Sequence, residues 1–210
     1  SALTLGFRLK DNFNAPYRAA DLAEFWRRWH ISLSTWLRDY LFFSLPGKRP
    51  GSPMPYLNLV ITFALGGLWH GAAWQFLAWG AYHGSLLAFE RWIGKKSPYD
   101  WLPRPGRIAV TFVLVLFSWV LFRSPNLSYA VSYWGAMLGF NASFGVPALI
   151  AAEIYTALPL TVLCVCIIIS FQRVEVCDWI AALTWRRALV LVPLFVASIG
   201  TMFTQAFNPF

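Results

Sequence analysis

Charge is scarce in this chain. Only 12% of its 210 residues are charged and 58% are hydrophobic, against roughly 25% charged in an ordinary soluble domain. A surface so poor in charge excludes a soluble core protein and points to the membrane. Acidic groups are the rarer kind, nine against seventeen Lys and Arg, leaving a formal net charge of +8. That excess does not indicate nucleic acid, because there is no basic low-complexity tail and the cations cluster beside apolar runs, where short cytoplasmic loops hold them. Cysteine is equally sparse. Cys164 and Cys166 lie in an apolar run and Cys177 just beyond it, with neither metal-ligand spacing nor a disulfide framework, so they are expected as small apolar side chains. Internal repeats, a Gly-rich phosphate loop, coiled-coil heptads and a nucleophile elbow are all missing. The chain opens on SALTLGFRLKDNF, without the basic-then-apolar start of a leader peptide, and stops at QAFNPF. It is expected to be the C-terminal part of a longer polypeptide, forming one membrane domain over 1–210 with further spans upstream.

What is present is apolar sequence in long runs. The stretches 56–90, 108–122, 146–171 and 188–207 are each long enough, alone or folded back, to occupy a hydrocarbon layer about 30 Å thick. The expected fold is all-α, a polytopic transmembrane helical bundle. Ahead of these runs, 21–43 predicts an amphipathic helix lying along the interface. Asp21 with Glu24 resembles a capping box, Pro46-Gly47 supplies a stop, and Leu22, Phe25, Trp26, Trp29, Leu33, Trp36, Leu37, Tyr40 and Leu41 repeat at three- and four-residue steps. Arg27, Ser34 and Arg38 fall on the other face, and His30 sits at the edge of the apolar stripe.

The run 56–90 would be about 52 Å long as one helix, too long for an upright span and too short for two. A re-entrant or short-helix hairpin fits, with Lys48 and Arg49 at its start and Arg91, Lys95, Lys96, Arg104 and Arg107 beyond its end holding both ends on the cytoplasmic side. His70 lies halfway along and so near the deepest point. Gly66, Gly67 and Gly71 around it let the backbone bend and helices approach. Broken backbone at that depth must be buried in protein or line a cavity. Within 108–207, the run 108–122 crosses outward to Arg123, 127–144 lies at the outer interface, 146–171 returns with Glu153 snorkelling, and 188–207 crosses again.

A histidine on an apolar segment has two readings: a ring bonded to a carbonyl between helices, or a functional imidazole. Depth, glycine-rich backbone and the flanking Trp69 and Trp74 favour function for His70, whose neutral ring can accept a proton. His83, thirteen residues on and about 220° round a continuous helix, is expected to be structural. Trp26, Trp29, Trp36, Trp69 and Trp74 are aromatic-belt residues or the rigid walls of a narrow channel. Arg27, Arg28 and Arg38 are positive-inside anchors or attract an acidic carrier or phosphate at a cytoplasmic mouth. Two other classes meet parts of this pattern. A transporter or channel also uses broken helices and central polar residues, but 63–84 contains no carboxylate. A two-haem carrier would take His70 and His83 as ligands, leaving His30 as the sole histidine for the remaining axial positions.

The blocks DNFNAPYRAADLAEFWRRWHISLSTWLRDYLF at 11–42 and FALGGLWHGAAWQFLAWGAYHG at 63–84 resemble the membrane-bound O-acyltransferase (MBOAT) family, in its bacterial alginate O-acetylation branch. The resemblance implies a ring of helices around a tunnel through the bacterial cytoplasmic (inner) membrane, of which this chain would be the C-terminal portion. It implies a cytoplasmic acyl thioester donor such as acetyl-CoA or an acyl carrier protein, with no tightly bound cofactor and no metal. The acceptor side would hold extracytoplasmic acetylation partners and an exopolysaccharide. His70 falls on the histidine of the family's W-H-G motif and His30 on that of its F-W-R-R-W-H-I-S motif, both implicated in catalysis. Trp26, Trp29, Trp69, Trp74, Arg27 and Arg28 would line the tunnel or position the donor.

Overall fold

A computed structural model describes residues 11–47, 54–94, 97–140, 156–171 and 184–204. Among these residues the chain forms eight α-helices and no strand: α1 (Leu22–Arg28), α2 (Ile31–Trp36), α3 (Met54–His70), α4 (Trp74–Trp92), α5 (Arg104–Arg123), α6 (Leu127–Met137), α7 (Ala157–Ser170) and α8 (Trp185–Thr204). The chain divides into two compact units, Ser1–Phe171 and Gln172–Phe210. Lys48, Arg49, Lys95, Lys96, Glu153 and Cys177 lie outside the described residues, and with them the expectations they carried. One described helix, α5, is long and apolar enough to cross a membrane, and α7 carries a shorter apolar stretch, Leu160–Ser170.

The expected hairpin over 56–90 is α3 and α4, joined by a three-residue break at 71–73. Glycine lets the two helices come close. A Cβ on Gly67 would collide with the carbonyl oxygen of Phe76, one on Gly80 with that of Phe63, and one on Gly84 would sit 2.7 Å from Val60 Cα. Backbones packed this closely exchange dispersion contacts that larger side chains would prevent, the main source of helix association where no water is expelled. Buried Thr111, Val115, Ser118 and Leu121 form a stripe down α5, and Tyr82 on α4 donates to the carbonyl of Leu114 at 3.0 Å. α6 folds back on α5 through Trp134 Nε1, which donates to Phe117 O at 3.0 Å. At the far end of α7, Phe171 packs on Phe112 with ring centroids 5.5 Å apart and takes a hydrogen bond from Arg18 at 3.2 Å.

The single helix expected over 21–43 is replaced by three pieces. α1 stops at Arg28, α2 starts at Ile31, and Leu37–Phe42 continues in wider π-type turns. Residues 12–14 make the break possible by satisfying the backbone groups it frees. Asn14 N–H donates to Arg28 O at 2.9 Å, Ile31 N–H to Asn12 O at 2.9 Å, and Asn12 Oδ1 accepts from Ser32 N–H at 3.1 Å and Ser32 Oγ at 2.8 Å. The apolar repeat runs through the break unchanged, so periodicity alone could not reveal it.

α1 is held by carboxylates. Asp21 caps Glu24 N–H as expected, and Glu24 returns the bond to Ala20 N–H at 2.8 Å, a displaced capping box. Glu90, near the end of α4, accepts from Leu22 N–H at 3.1 Å and Ala23 N–H at 3.2 Å. The first turn of α1 is therefore capped by another helix. Arg107 ties the same corner together, 3.6 Å from Asp21 and 2.9 Å from Asp100.

In the second unit α8 begins with Thr184 Oγ1 accepting from Arg187 N–H at 3.4 Å. It carries Pro193 in its interior, where the missing N–H and the ring's clash with the preceding turn favour a kink.

Candidate functional site

α3 ends on its functional candidate. Helical bonding stops at His70, Gly71 N–H turns back to Leu68 O at 3.2 Å, and Ala73 N–H bonds Gly71 O at 2.9 Å before α4 begins. The His70 ring is half-buried at the tip of the hairpin. Aromatic rings surround it: Trp69 at 4.9 Å, Phe122 at 5.1 Å and Trp79 at 5.5 Å between centroids, all near perpendicular.

His30 approaches from the break between α1 and α2. Its backbone is left-handed, φ 47° and ψ 51°, a conformation that costs a residue with a Cβ about 1–2 kcal/mol. The turn places the His30 ring 6.3 Å from His70 and 6.2 Å from Trp69. His30 Nδ1 is buried with no hydrogen-bond partner, and so is Nε1 of Trp79, whose ring also meets His70. Strained backbone and unsatisfied polar atoms are both costly, and they concentrate at sites that bind or react. An apolar cavity of about 270 Å³ is lined by Leu33, Trp36, Leu37, Leu65 and Trp69, and Trp69 also meets both histidines.

The structure sorts the remaining candidates. Trp69 touches both histidines. Trp26 is buried away from them, its Nε1 donating to His83 Nδ1 at 3.3 Å. Trp29 stacks on Phe25 at 5.7 Å and meets Trp119 edge-on at 5.0 Å. Trp74 starts α4 and is 76% exposed. Arg28 is committed to Glu24 at 2.9 Å and to Asn14 O at 3.1 Å. Arg27 lies 3.9 Å from Asp21 and lines a separate cavity of about 270 Å³ with Arg91, Asp21 and Glu90. His83, 1% exposed, is sandwiched against Phe25 at 6.2 Å with its ring nearly parallel, the structural placement expected of it. Sequence reasoning missed Trp79 and Phe122, which complete the wall around His70. Trp79 lay in the quoted block, but α5 carried no signal that Phe122 would fold back onto it.

A half-buried imidazole among aromatic rings, faced by a second imidazole with an unpaired nitrogen, has the groups needed to take and return a proton. Comparison with known proteins identifies the family. Residues 3–134 match the model of "MBOAT, membrane-bound O-acyltransferase family", and the chain belongs to that family. It is 41% identical, over 99% of its own length and 47% of the relative's, to the "Probable alginate O-acetylase AlgI" of Pseudomonas putida. It is 39% identical to the "Peptidoglycan O-acetyltransferase" of Helicobacter pylori over 66% of this chain and 27% of that one. Against the "Teichoic acid D-alanyltransferase" of Bacillus subtilis it is 33% identical over 56% of this chain and 32% of the relative. The chain thus spans at most about half the length of these relatives.

Proposed function

We propose that the full-length protein is a multi-pass O-acyltransferase of the bacterial cytoplasmic (inner) membrane. It moves an acyl group, acetyl in our reading, from a cytoplasmic thioester such as acetyl-CoA or an acyl carrier protein toward hydroxyls of an extracytoplasmic polysaccharide, directly or through extracytoplasmic partner proteins. Two things support this reading: the family, whose named relatives acylate alginate, peptidoglycan or teichoic acid, and the facing pair His30 and His70. The observation that carries it is their 6.3 Å separation inside an aromatic wall at the tip of a broken hairpin.

In the proposed step, His70 takes the proton of an acceptor hydroxyl as its oxygen attacks the thioester carbonyl. The carbon–sulfur bond then breaks and the departing thiolate takes the proton back. His30, with Nδ1 unpaired, orients or polarises the donor carbonyl. A positioned base contributes about 10²- to 10⁴-fold, and exclusion of water protects the acyl group from hydrolysis. Transfer from a labelled thioester by the full-length protein in vesicles tests the assignment. His70→Ala is expected to lose at least about 10² in rate, and a rate within a few-fold of the unaltered protein removes His70 from the mechanism.

A further inference from the structure

Among the described residues four buried polar atoms have no hydrogen-bond partner: His30 Nδ1, Thr62 Oγ1, Trp79 Nε1 and Ser97 Oγ. A hydroxyl hydrogen swings about its C–O bond to suit its surroundings, whereas an indole N–H is fixed in the plane of its ring and only donates. Two other tryptophans do find acceptors. Trp26 Nε1 donates to His83 Nδ1 at 3.3 Å and Trp134 Nε1 to Phe117 O at 3.0 Å. Trp79, 4% exposed, is by contrast a rigid donor held in the interior without an acceptor, which by itself costs the folded chain stability.

Its neighbours are rings: His83 at 5.0 Å, Phe122 at 5.3 Å and His70 at 5.5 Å between centroids. Ring faces receive an N–H only weakly. The chemistry beside Trp79 has use for a donor. As a hydroxyl oxygen attacks a thioester carbonyl, the carbonyl oxygen becomes negative, and a positioned N–H binds that oxyanion more tightly than the neutral carbonyl. The attacking hydroxyl is the poorer partner, because a bond donated to its oxygen would occupy a lone pair and blunt the attack. His70 is half-buried and its ring stands at 88° to that of Trp79. A carbonyl that approaches His70 therefore arrives next to the buried indole that lacks an acceptor, with the unpaired nitrogen of His30 on a ring 6.3 Å from His70.

We infer that Trp79 is a catalytic residue of the transfer, its Nε1–H donating to the carbonyl oxygen of the acyl thioester as that oxygen becomes an oxyanion. This rests on the acyl-transfer reading above and adds a residue to it. The indole keeps its proton throughout. The bond from the acceptor oxygen to the acyl carbon forms as His70 takes the hydroxyl proton, and the carbonyl electron pair moves onto the oxygen beside Trp79. Its return breaks the carbon–sulfur bond, and the thiolate takes the proton from His70.

Full-length protein in vesicles is assayed with a labelled thioester in three forms: unaltered, Trp79→Phe, and with Trp79 replaced by benzothienylalanine, which carries sulfur in place of the N–H in a ring of nearly the same shape. Both altered forms are expected to lose about 10²-fold in kcat, the loss typical of one oxyanion donor, with KM for the thioester held within about threefold. The sulfur isostere is expected to unfold at the temperature of the unaltered protein or above it, since it deletes a buried donor that has no partner. It also serves if the smaller phenyl ring does not support folding. The inference is overturned by a kcat within a few-fold of the unaltered protein in the sulfur isostere, by a rise in KM alone, or by a kcat loss that comes with a lowered unfolding temperature in that isostere, which would make the N–H a packing contact on a neighbouring ring. His70→Ala separates the two readings. Transfer lost there and kept in the sulfur isostere removes Trp79 alone, whereas transfer kept in His70→Ala removes the base and this inference with it.

Discussion

The indole of Trp26, on α1, donates to Nδ1 of His83, on α4, across 3.3 Å in the protein interior. The bond leaves the His83 proton on Nε2, and it ties the helix preceding His30 to the helix following His70. Removing one partner of a buried pair strands the other at about 1–3 kcal/mol. Trp26→Phe and His83→Phe are each expected to lower thermal stability, with the double variant losing less than the sum. Strict additivity in a double-mutant cycle would show that the two side chains act independently.

His30 separates backbone from chemistry. His30→Gly relieves the left-handed φ of 47° and His30→Ala does not, so the glycine variant should be more stable by about 1 kcal/mol. Both lose the imidazole. Equal loss of acyl transfer in the two variants supports a chemical role, whereas activity retained in His30→Gly alone would assign the residue to turn formation.

At the α3–α4 contact, Gly80→Ala puts a Cβ onto the carbonyl oxygen of Phe63, backbone that cannot step aside. A loss of about 1–3 kcal/mol is expected from this overpacking. Gly106→Ala, whose new Cβ would meet Leu102 Cβ at 3.4 Å, is expected to be neutral or stabilising by up to about 1 kcal/mol. Unfolding temperatures that do not separate the two variants would contradict the close helix approach.

Glu90→Ala leaves Leu22 N–H and Ala23 N–H without their acceptor. Each orphaned donor costs about 1–3 kcal/mol where water cannot replace the carboxylate. Amide exchange at these two residues is expected to accelerate before exchange in α4 does. Unchanged protection there would mean that Glu90 does not cap α1.

Acid should loosen the same corner. Burial alone would raise the Glu24 pKa, but the Ala20 N–H, the bond and charge of Arg28, and Arg104 together hold it below the ordinary 4.5. A carboxyl with a depressed folded pKa stabilises above its unfolded value and loses that contribution as pH falls through the folded value. Stability from this group is therefore flat near neutrality and declines below about pH 4.5, and Glu24→Gln should flatten that part of the acid limb of an unfolding-temperature profile.

The hairpin was legible because glycines at 66, 67 and 71 punctuate a run too long for one span, and the break falls at 71–73, beside His70. Asp21 was legible as a cap because its spacing to Glu24 is local. The division of 21–43 was hidden: the acceptors and donors that permit it come from Asn12 and Asn14, outside the periodic segment, and the left-handed residue is a histidine rather than a glycine. Phe122 reaches His70 through tertiary folding of α5, which no local pattern encodes. Glu90 carried a readable sign, as the sole carboxylate between Asp39 and Asp100, but its partners sit 67 and 68 residues away.

Because Glu90 grips the beginning of α1 and a single residue separates its end from His30, those seven residues work as a ruler. Deleting one would draw His30 back by about 1.5 Å and swing it about 100° round the helix axis, away from His70. The span from Asp21 to His30 should therefore accept altered side chains on its wet face far more readily than any change in its count.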